Sequence, residues 1–553
     1  MVGATLITLF AAILTLGTGS RGAWSETVFV ELAIDRDGAS SWLYPYDQAR
    51  ALMMLPYKLA MVISPDGYWA FQFIQFLLLA AIGVLLAMIM ITAWGLSTRA
   101  ATAAGILAVV FGADISGAFS GMVIVRQAIA FWLVALLFLC LAGRRSWLIA
   151  LLAIPFELAA MFTYDPVILV VAASPVVLLA AGLRPVRALI TWYAPIAAVI
   201  AWQVWRYAVE STVSYQSEQL AIPQLSEFMI RVGRLIWTAV TPPVWPAQWA
   251  PTLPPTDSAA TLSLVGFCLS AVVLTMATQQ LLPASSSRRA VRPTKGLFAA
   301  ALLFLAAVIP YLAVSPFTAE GGHHPPGVWR ALLLAAIPFA MAAGVVISAL
   351  QQMPHLQVLT LTVLVVSGVA AGTASSLHER GTWARYVETY RAISAVAPGL
   401  RPGTLLVVNG LPPPGICPKC GPSDSRAGGA FASSTWFNSG LHLAFPSVEG
   451  LVGTYIDQDG VWAPDMTVAL SPSGAHITYA NVGVPKTKFA PSEILVIDWN
   501  GGRPAIARGE RAGWPFPLSI AALTAYCGQS SRATPLETSI WDGSSCRAIP
   551  ARP

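Results

Sequence analysis

The chain has 553 residues, of which 56% are hydrophobic and only 10% charged, with a mean hydropathy of +0.67. Soluble domains carry about 25% charged residues, so a water-soluble enzyme is excluded. The net charge of +6 does not mark a nucleic-acid binder, because the basic residues sit in short loops between apolar runs, as membrane topology requires.

The apolar residues fall in about eleven runs near the bilayer-spanning length: 2–20, 69–96, 101–118, 126–142, 147–163, 166–183, 187–207, 259–282, 296–315, 329–350 and 356–374. The expected fold is therefore a polytopic α-helical membrane protein with about 11 transmembrane helices. The first run lacks a basic leader and a small-x-small cleavage site, so it reads as a retained helix. With the N-terminus in the cytoplasm, the inner loops hold Arg99, Arg144, Arg145, Arg184, Arg288, Arg289, Arg292 and Lys295, and almost no acid. That asymmetry sets the expected orientation. The outer side then receives loops 21–68, 208–258 and 316–328 and everything after about residue 375.

The first outer loop holds Glu31, Asp35 and Asp37, and an expected surface helix, 47–58, carries Asp47 and Arg50. Loop 208–258 contains QLSEFMIRVGRLIWTAV, whose apolar residues recur at helical spacing, with Arg231 and Arg234 expected on its polar side. The run TPPVWPAQWAPTLPPTD that follows holds six prolines, which argue against helix. Trp237, Trp245 and Trp249 suit a membrane interface.

Past residue 375 the composition changes, and 376–553 is expected to be a mixed α/β extracytoplasmic domain, periplasmic in this topology. A helix, TWARYVETYRAISAV, ends near Pro398, and strand-like runs TLLVV, MTVAL, HITYA and EILVIDW follow. Cys140 and Cys268 lie in apolar runs, whereas Cys417, Cys420, Cys527 and Cys546 all lie in the outer domain. An even number on an oxidising side favours disulfides, Cys417–Cys420 with Cys527–Cys546, over half a zinc site at CPKC.

Ionisable groups in or beside membrane helices are costly and are usually paired or functional. The candidates are Asp35 and Asp37, Asp114 near the end of the third helix, Arg126 at the start of the fourth, and Asp165 in a turn. His323, His324 and Arg330 flank the start of the tenth helix. All are assigned to the outer face. Carboxylates can take a proton from an acceptor hydroxyl, and arginines and histidines can hold a phosphate. The same carboxylates could hold a divalent metal, magnesium or manganese. Glu157, inside the fifth helix, reads as half of a buried structural pair, and Asp165, before Pro166, reads first as a helix N-cap.

This layout resembles the GT-C glycosyltransferases, polytopic enzymes that use polyprenyl-phosphate sugars, including the protein O-mannosyltransferase-like group. The likeness rests on the acidic first outer loop, on VISPDGYWAFQFIQFLLLAAIGVLLAMIM, on the block from AAGILAVVFGADISG to LAGRR with Arg126, on TYDPVILVV and on HHPPGVWRALLLAAIPFAMAAG with Arg330. It implies sugar transfer from a lipid-linked donor to a glycan, lipid or protein acceptor at the periplasmic face of a bacterial inner membrane. Asp35 or Asp37 would be the base, and Arg126, Arg330, His323 and His324 would hold the lipid phosphate. TYDP lacks the lysine that relatives carry at that turn. The alternative is a non-catalytic subunit that docks a membrane-complex partner through its outer domain.

Overall fold

The computed structural model describes residues 1–17, 50–64, 68–113, 122–183, 185–209, 224–247, 258–283, 291–312, 326–411, 434–445, 448–458, 460–463, 466–479, 487–500 and 503–524. Its membrane part is built from α1 (Val2–Thr15), α2 (Leu55–Ile63), α3 (Trp69–Trp94), α4 (Thr98–Val110), α5 (Val123–Arg144), α6 (Ile154–Thr163), α7 (Val167–Ala173), α8 (Val176–Ala180) and α9 (Val186–Val209). These are followed by α10 (Leu225–Val240), α11 (Val244–Ala247), α12 (Ser258–Leu281), α13 (Pro293–Leu312), α14 (Pro326–Ala349) and α15 (Pro354–Val396).

Among the described residues seven helices are long and apolar enough to cross a membrane, those in α3, α5, α9, α12, α13, α14 and α15. The chain is a multi-pass helical membrane protein. The other four expected spans fall on shorter apolar helices, Val2–Thr15, Thr98–Val110, Trp147–Thr163 and Val167–Ala180. Proline shortens the last two. Pro155 stands in the first turn of α6, after a 3-10 turn over Trp147–Leu152, and Pro175 separates α7 from α8.

Side chains from distant loops meet at two ends of the bundle. At one end Arg99 donates to the Leu282 carbonyl (2.8 Å), Arg144 to the Ala93 carbonyl (3.0 Å), and Gln351 to Ser97 Oγ (2.7 Å). At the other end Gln127 donates to the Leu52 carbonyl (3.3 Å) and to Thr163 Oγ1 (3.2 Å), and Arg231 donates to the Leu312 carbonyl (2.9 Å). These are called the inner and outer ends, after the sides the sequence assigns them. Small residues bring α15 onto α4. A Cβ on Gly368 would lie 1.9 Å from the Val110 carbonyl oxygen, so only glycine fits that crossing.

Several expectations give way to packing. The surface helix starts at Leu55, so Arg50 precedes it, while Asp47 lies outside the described residues. On α10, Arg231 is buried with Val232, Leu235 and Ala239 against the bundle, and only Arg234 faces out. Leu225, Met229 and Trp237 are exposed, a surface suited to lipid. The proline-rich run includes one helical turn, α11. Its Trp245 is fully buried against Phe111 (5.3 Å) and Phe339 (5.7 Å), not at an interface. Among the described residues Glu157 has no pair. It is 0% exposed, and neither carboxylate oxygen has a hydrogen-bond partner among the described residues.

The last span and the first helix of the outer domain are one 43-residue rod, α15. At 1.5 Å per residue this is about 65 Å, roughly twice the hydrocarbon thickness. Its far end carries the C-terminal domain, formed by β1 (Leu405–Leu411), α16 (Ser434–Ala444), β2 (Val452–Asp457), β3 (Met466–Ser471), β4 (Gly474–Tyr479), β5 (Lys488–Phe489), β6 (Ile494–Asn500) and β7 (Arg503–Ile506). One sheet has the order β2-β1-β6-β7, parallel except for β7, and an antiparallel sheet has the order β3-β4-β5. The domain is mixed α/β, and the four strand runs read from sequence lie within β1, β3, β4 and β6 or overlap their ends. A run of aromatic contacts, edge-on and stacked, ties it to the bundle. Tyr68 meets Trp383 at 5.1 Å, Trp383 meets Tyr386 at 5.8 Å, Tyr386 meets Tyr390 at 4.9 Å, and Tyr390 meets Phe437 of α16 at 5.8 Å.

Candidate functional site at the outer end of the bundle

The alternating small residues of α15 leave a cleft where it passes the outer ends of α1, α4 and α5. Gly368, Gly372 and Ser376 recur at a spacing of four, and with Ala371 and Ser375 they form one wall of a cavity of about 50 Å³. The other walls are Leu14 and Thr15 of α1, Leu79 of α3, Val109–Gly112 at the end of α4, and Arg126.

Arg126 is 6% exposed and sits in the first turn of α5. Met122, the N-cap residue, supplies no side-chain cap to that turn. A helix N-terminus is the positive end of the helix dipole, so guanidinium and helix end both favour an anion in the cleft. Thr15 and Ser376 donate to carbonyls of their own helices, Ala11 (2.6 Å) and Gly372 (2.7 Å). A hydroxyl rotates readily, so either can turn its proton to a bound oxygen.

Gln127, the next residue on α5, is turned about 100° away by helical geometry and belongs to a second polar group. There Asp165 accepts from Arg50 Nε at 2.7 Å, and the Arg50 guanidinium lies 5.5 Å from the Tyr164 ring centroid. Tyr164 and Tyr311 share a hydroxyl hydrogen bond of 2.7 Å. The N-cap reading of Asp165 is therefore corrected. Pro166 is the N-cap of α7, and Asp165 contributes its backbone carbonyl to Ile168 while its carboxylate takes Arg50. Lys58 of α2 is also buried, at 5% exposure.

Of the residues read from sequence, Arg126 and Asp165 are described, in these two groups. Asp35, Asp37, Asp114, His323 and His324 lie outside the described residues, as do Cys417, Cys420, Cys527 and Cys546. Arg330 lies in α14, with its side chain outside them. Cys140 and Cys268 are free thiols. Among the described residues no three His, Cys, Asp or Glu side chains gather as a metal site. Thr15, Ser375, Ser376 and the Arg50–Asp165 pair were not read from sequence. The one signal for the serine wall was the small residues four apart in SGVAAGTASS.

No family model and no curated protein matches the chain. Among solved structures, ArnT from Cupriavidus metallidurans in the apo state is 15% identical with a TM-score of 0.35, covering 73% of this chain and 81% of that one. ArnT bound to undecaprenyl phosphate is 14% identical with a TM-score of 0.32, covering 75% and 83%. The arabinofuranosyltransferase AftD from Mycobacteria is 16% identical with a TM-score of 0.34, covering 75% of this chain and 29% of that chain. Scores of this size do not establish a shared fold.

Proposed function

We propose that the chain is a GT-C-like membrane glycosyltransferase of a bacterial inner membrane. It moves a sugar from a polyprenyl-phosphate donor to an acceptor on the periplasmic side. The observation that carries this reading is the buried Arg126 in the first turn of α5, lining a cleft between membrane helices at the outer end. An anion that enters there arrives at membrane depth, which suits a phosphate on a lipid better than a soluble one. Support also comes from the sequence layout, whose acidic first loop would supply the base, Asp35 or Asp37. Arg330, His323 and His324 join Arg126 as proposed phosphate ligands, and Asp114 stays a candidate beside them. A magnesium or manganese ion held by the loop carboxylates is compatible with this chemistry.

Native mass spectrometry of the gently solubilised protein tests the donor site. A bound polyprenyl phosphate is expected, and Arg126→Ala should lose it while the protein keeps its melting temperature within a few degrees. Asp35→Asn with Asp37→Asn should abolish sugar transfer but retain the lipid. A protein that carries no lipid phosphate but co-purifies with one membrane partner would overturn the enzyme reading in favour of a docking subunit.

A further inference from the structure

Glu157 places a carboxyl group in the interior of the membrane bundle, and the outer-end site does not use it. It sits in the first turn of α6 and shares the buried face of that helix with Ala160 and Met161. It is 0% exposed, and neither oxygen has a hydrogen-bond partner among the described residues. Six residues separate it from Thr163 at the outer end, which sets it about 9 Å inward at 1.5 Å per residue. Ser174, seven residues inward of Val167 on the neighbouring α7, lies at a similar depth, about 10 Å.

Both chain segments are interrupted at this level, by Pro155 at the start of α6 and by Pro175 between α7 and α8. Polar groups around the second break have donors. Trp192 Nε1 donates to the Val171 carbonyl (3.0 Å), the Tyr193 hydroxyl to the Ala172 carbonyl (3.0 Å), and Trp132 Nε1 to Ser174 Oγ (2.7 Å). None of these donors turns to Glu157.

The titratable and charged groups on the elements packed against α6 do not turn to it either. On α5, Arg126 lines the cleft, Cys140 is a free thiol, and Arg144 donates to the Ala93 carbonyl. On α9, Arg187 is exposed and Tyr193 is bonded to α7, while the side chains of Arg206 and Tyr207 lie outside the described residues. α7 and the 3-10 turn before α6 carry no such group, and in the turn between α6 and α7 Asp165 holds Arg50 while Tyr164 meets Tyr311.

A carboxylate sealed from water, with neither a donor nor a cation beside it, is far costlier than the neutral acid. We propose that Glu157 is an intramembrane proton site, occupied while α6 is packed on α5 and α7 and exchanging only when that packing opens. On release the O–H bond breaks, the proton passes to hydroxide to give water, and the electron pair stays on the carboxylate. The charge then left among apolar side chains opposes reclosing, so the bound proton and the closed bundle favour each other. This site stands apart from the lipid-phosphate cleft and needs no lipid.

Infrared spectroscopy of the full chain in maltoside micelles, which have no carbonyl band, tests the site at about pH 8, where ordinary carboxyls are ionised. The spectrum of the native chain minus that of Glu157→Gln should show the carbonyl stretch of a protonated carboxyl. The variant keeps an uncharged side chain of nearly the same shape and should melt within a few degrees of the native chain. Isotope labelling of the glutamate carboxyls should shift the same band in the unsubstituted chain, a readout that needs no variant. On transfer to heavy water the band should move no faster than the α6 amides exchange, followed by mass spectrometry. Arg126→Ala should leave the band in place, whether or not lipid phosphate is bound. No protonated-carboxyl band that responds to the label, or a band that moves within the mixing time, would overturn the proposal.

Discussion

At the inner end of the bundle, arginines lie against helix C-termini. Arg144 reaches the Ala93 carbonyl in the last turn of α3, and Arg99 reaches the Leu282 carbonyl just past α12. Cations there complement the negative end of the dipole and satisfy carbonyls that a helix leaves open. Arg231, at the outer end, does the same for Leu312 and α13. Arg126 does the reverse. It lies buried in the first turn of α5, where the dipole opposes a cation by about 0.3–1 kcal/mol. The cleft it lines is where the proposed anion would sit.

The harshest way to break this contrast is to close the cleft itself. Gly368→Val places its first side-chain carbon against the Val110 carbonyl and should separate α15 from α4. A cost of about 3 kcal/mol or more is expected, read as a large drop in melting temperature or loss of folded protein. Next, Arg231→Ala strips Leu312 of its donor and leaves Glu227 without its helix partner. It should cost about 1–3 kcal/mol, more than Arg126→Ala costs, and should keep bound lipid. Equal losses of stability in the two variants would erase the distinction between a structural and a functional arginine.

The third test moves beyond the membrane, to the junction between α15 and α16. Burial, and after it the neighbouring Tyr386, holds the Tyr390 phenol well above its ordinary pKa. The folded state keeps that proton where the unfolded chain loses it. Stability contributed by this group is therefore intact below about pH 10 and falls as pH rises past it. Tyr390→Phe should flatten that fall, at a cost near neutral pH of about 1 kcal/mol for the lost hydrogen bond to the Phe437 carbonyl. Smallest is the comparison of two carboxylates eight residues apart in sequence. Asp165→Asn weakens a part-exposed pair with Arg50 and should cost less than about 1 kcal/mol. Glu157→Gln breaks no bond to a described residue and should be neutral or slightly stabilising by thermal melt. A marked loss there would reveal a partner for Glu157.

The sequence by itself determined the broad architecture. Run length and low charge placed the membrane helices, and basic loops separated the two ends, because water and hydrocarbon sort residues by composition alone. Alternation between apolar runs and turn residues was enough to find four strands of the outer domain. Tertiary structure decided what composition cannot encode. Whether Arg231 faces water or a helix end, whether Trp245 meets lipid or Phe111, and whether Asp165 caps a helix or holds Arg50 all depend on which neighbour arrives from far along the chain. The cleft was hidden for the same reason. Its wall is made of glycine and serine, whose meaning lies in how closely another helix can approach. Asn409 and Asp498 lie far apart in the sequence, and only the sheet order β2-β1-β6-β7 sets them side by side.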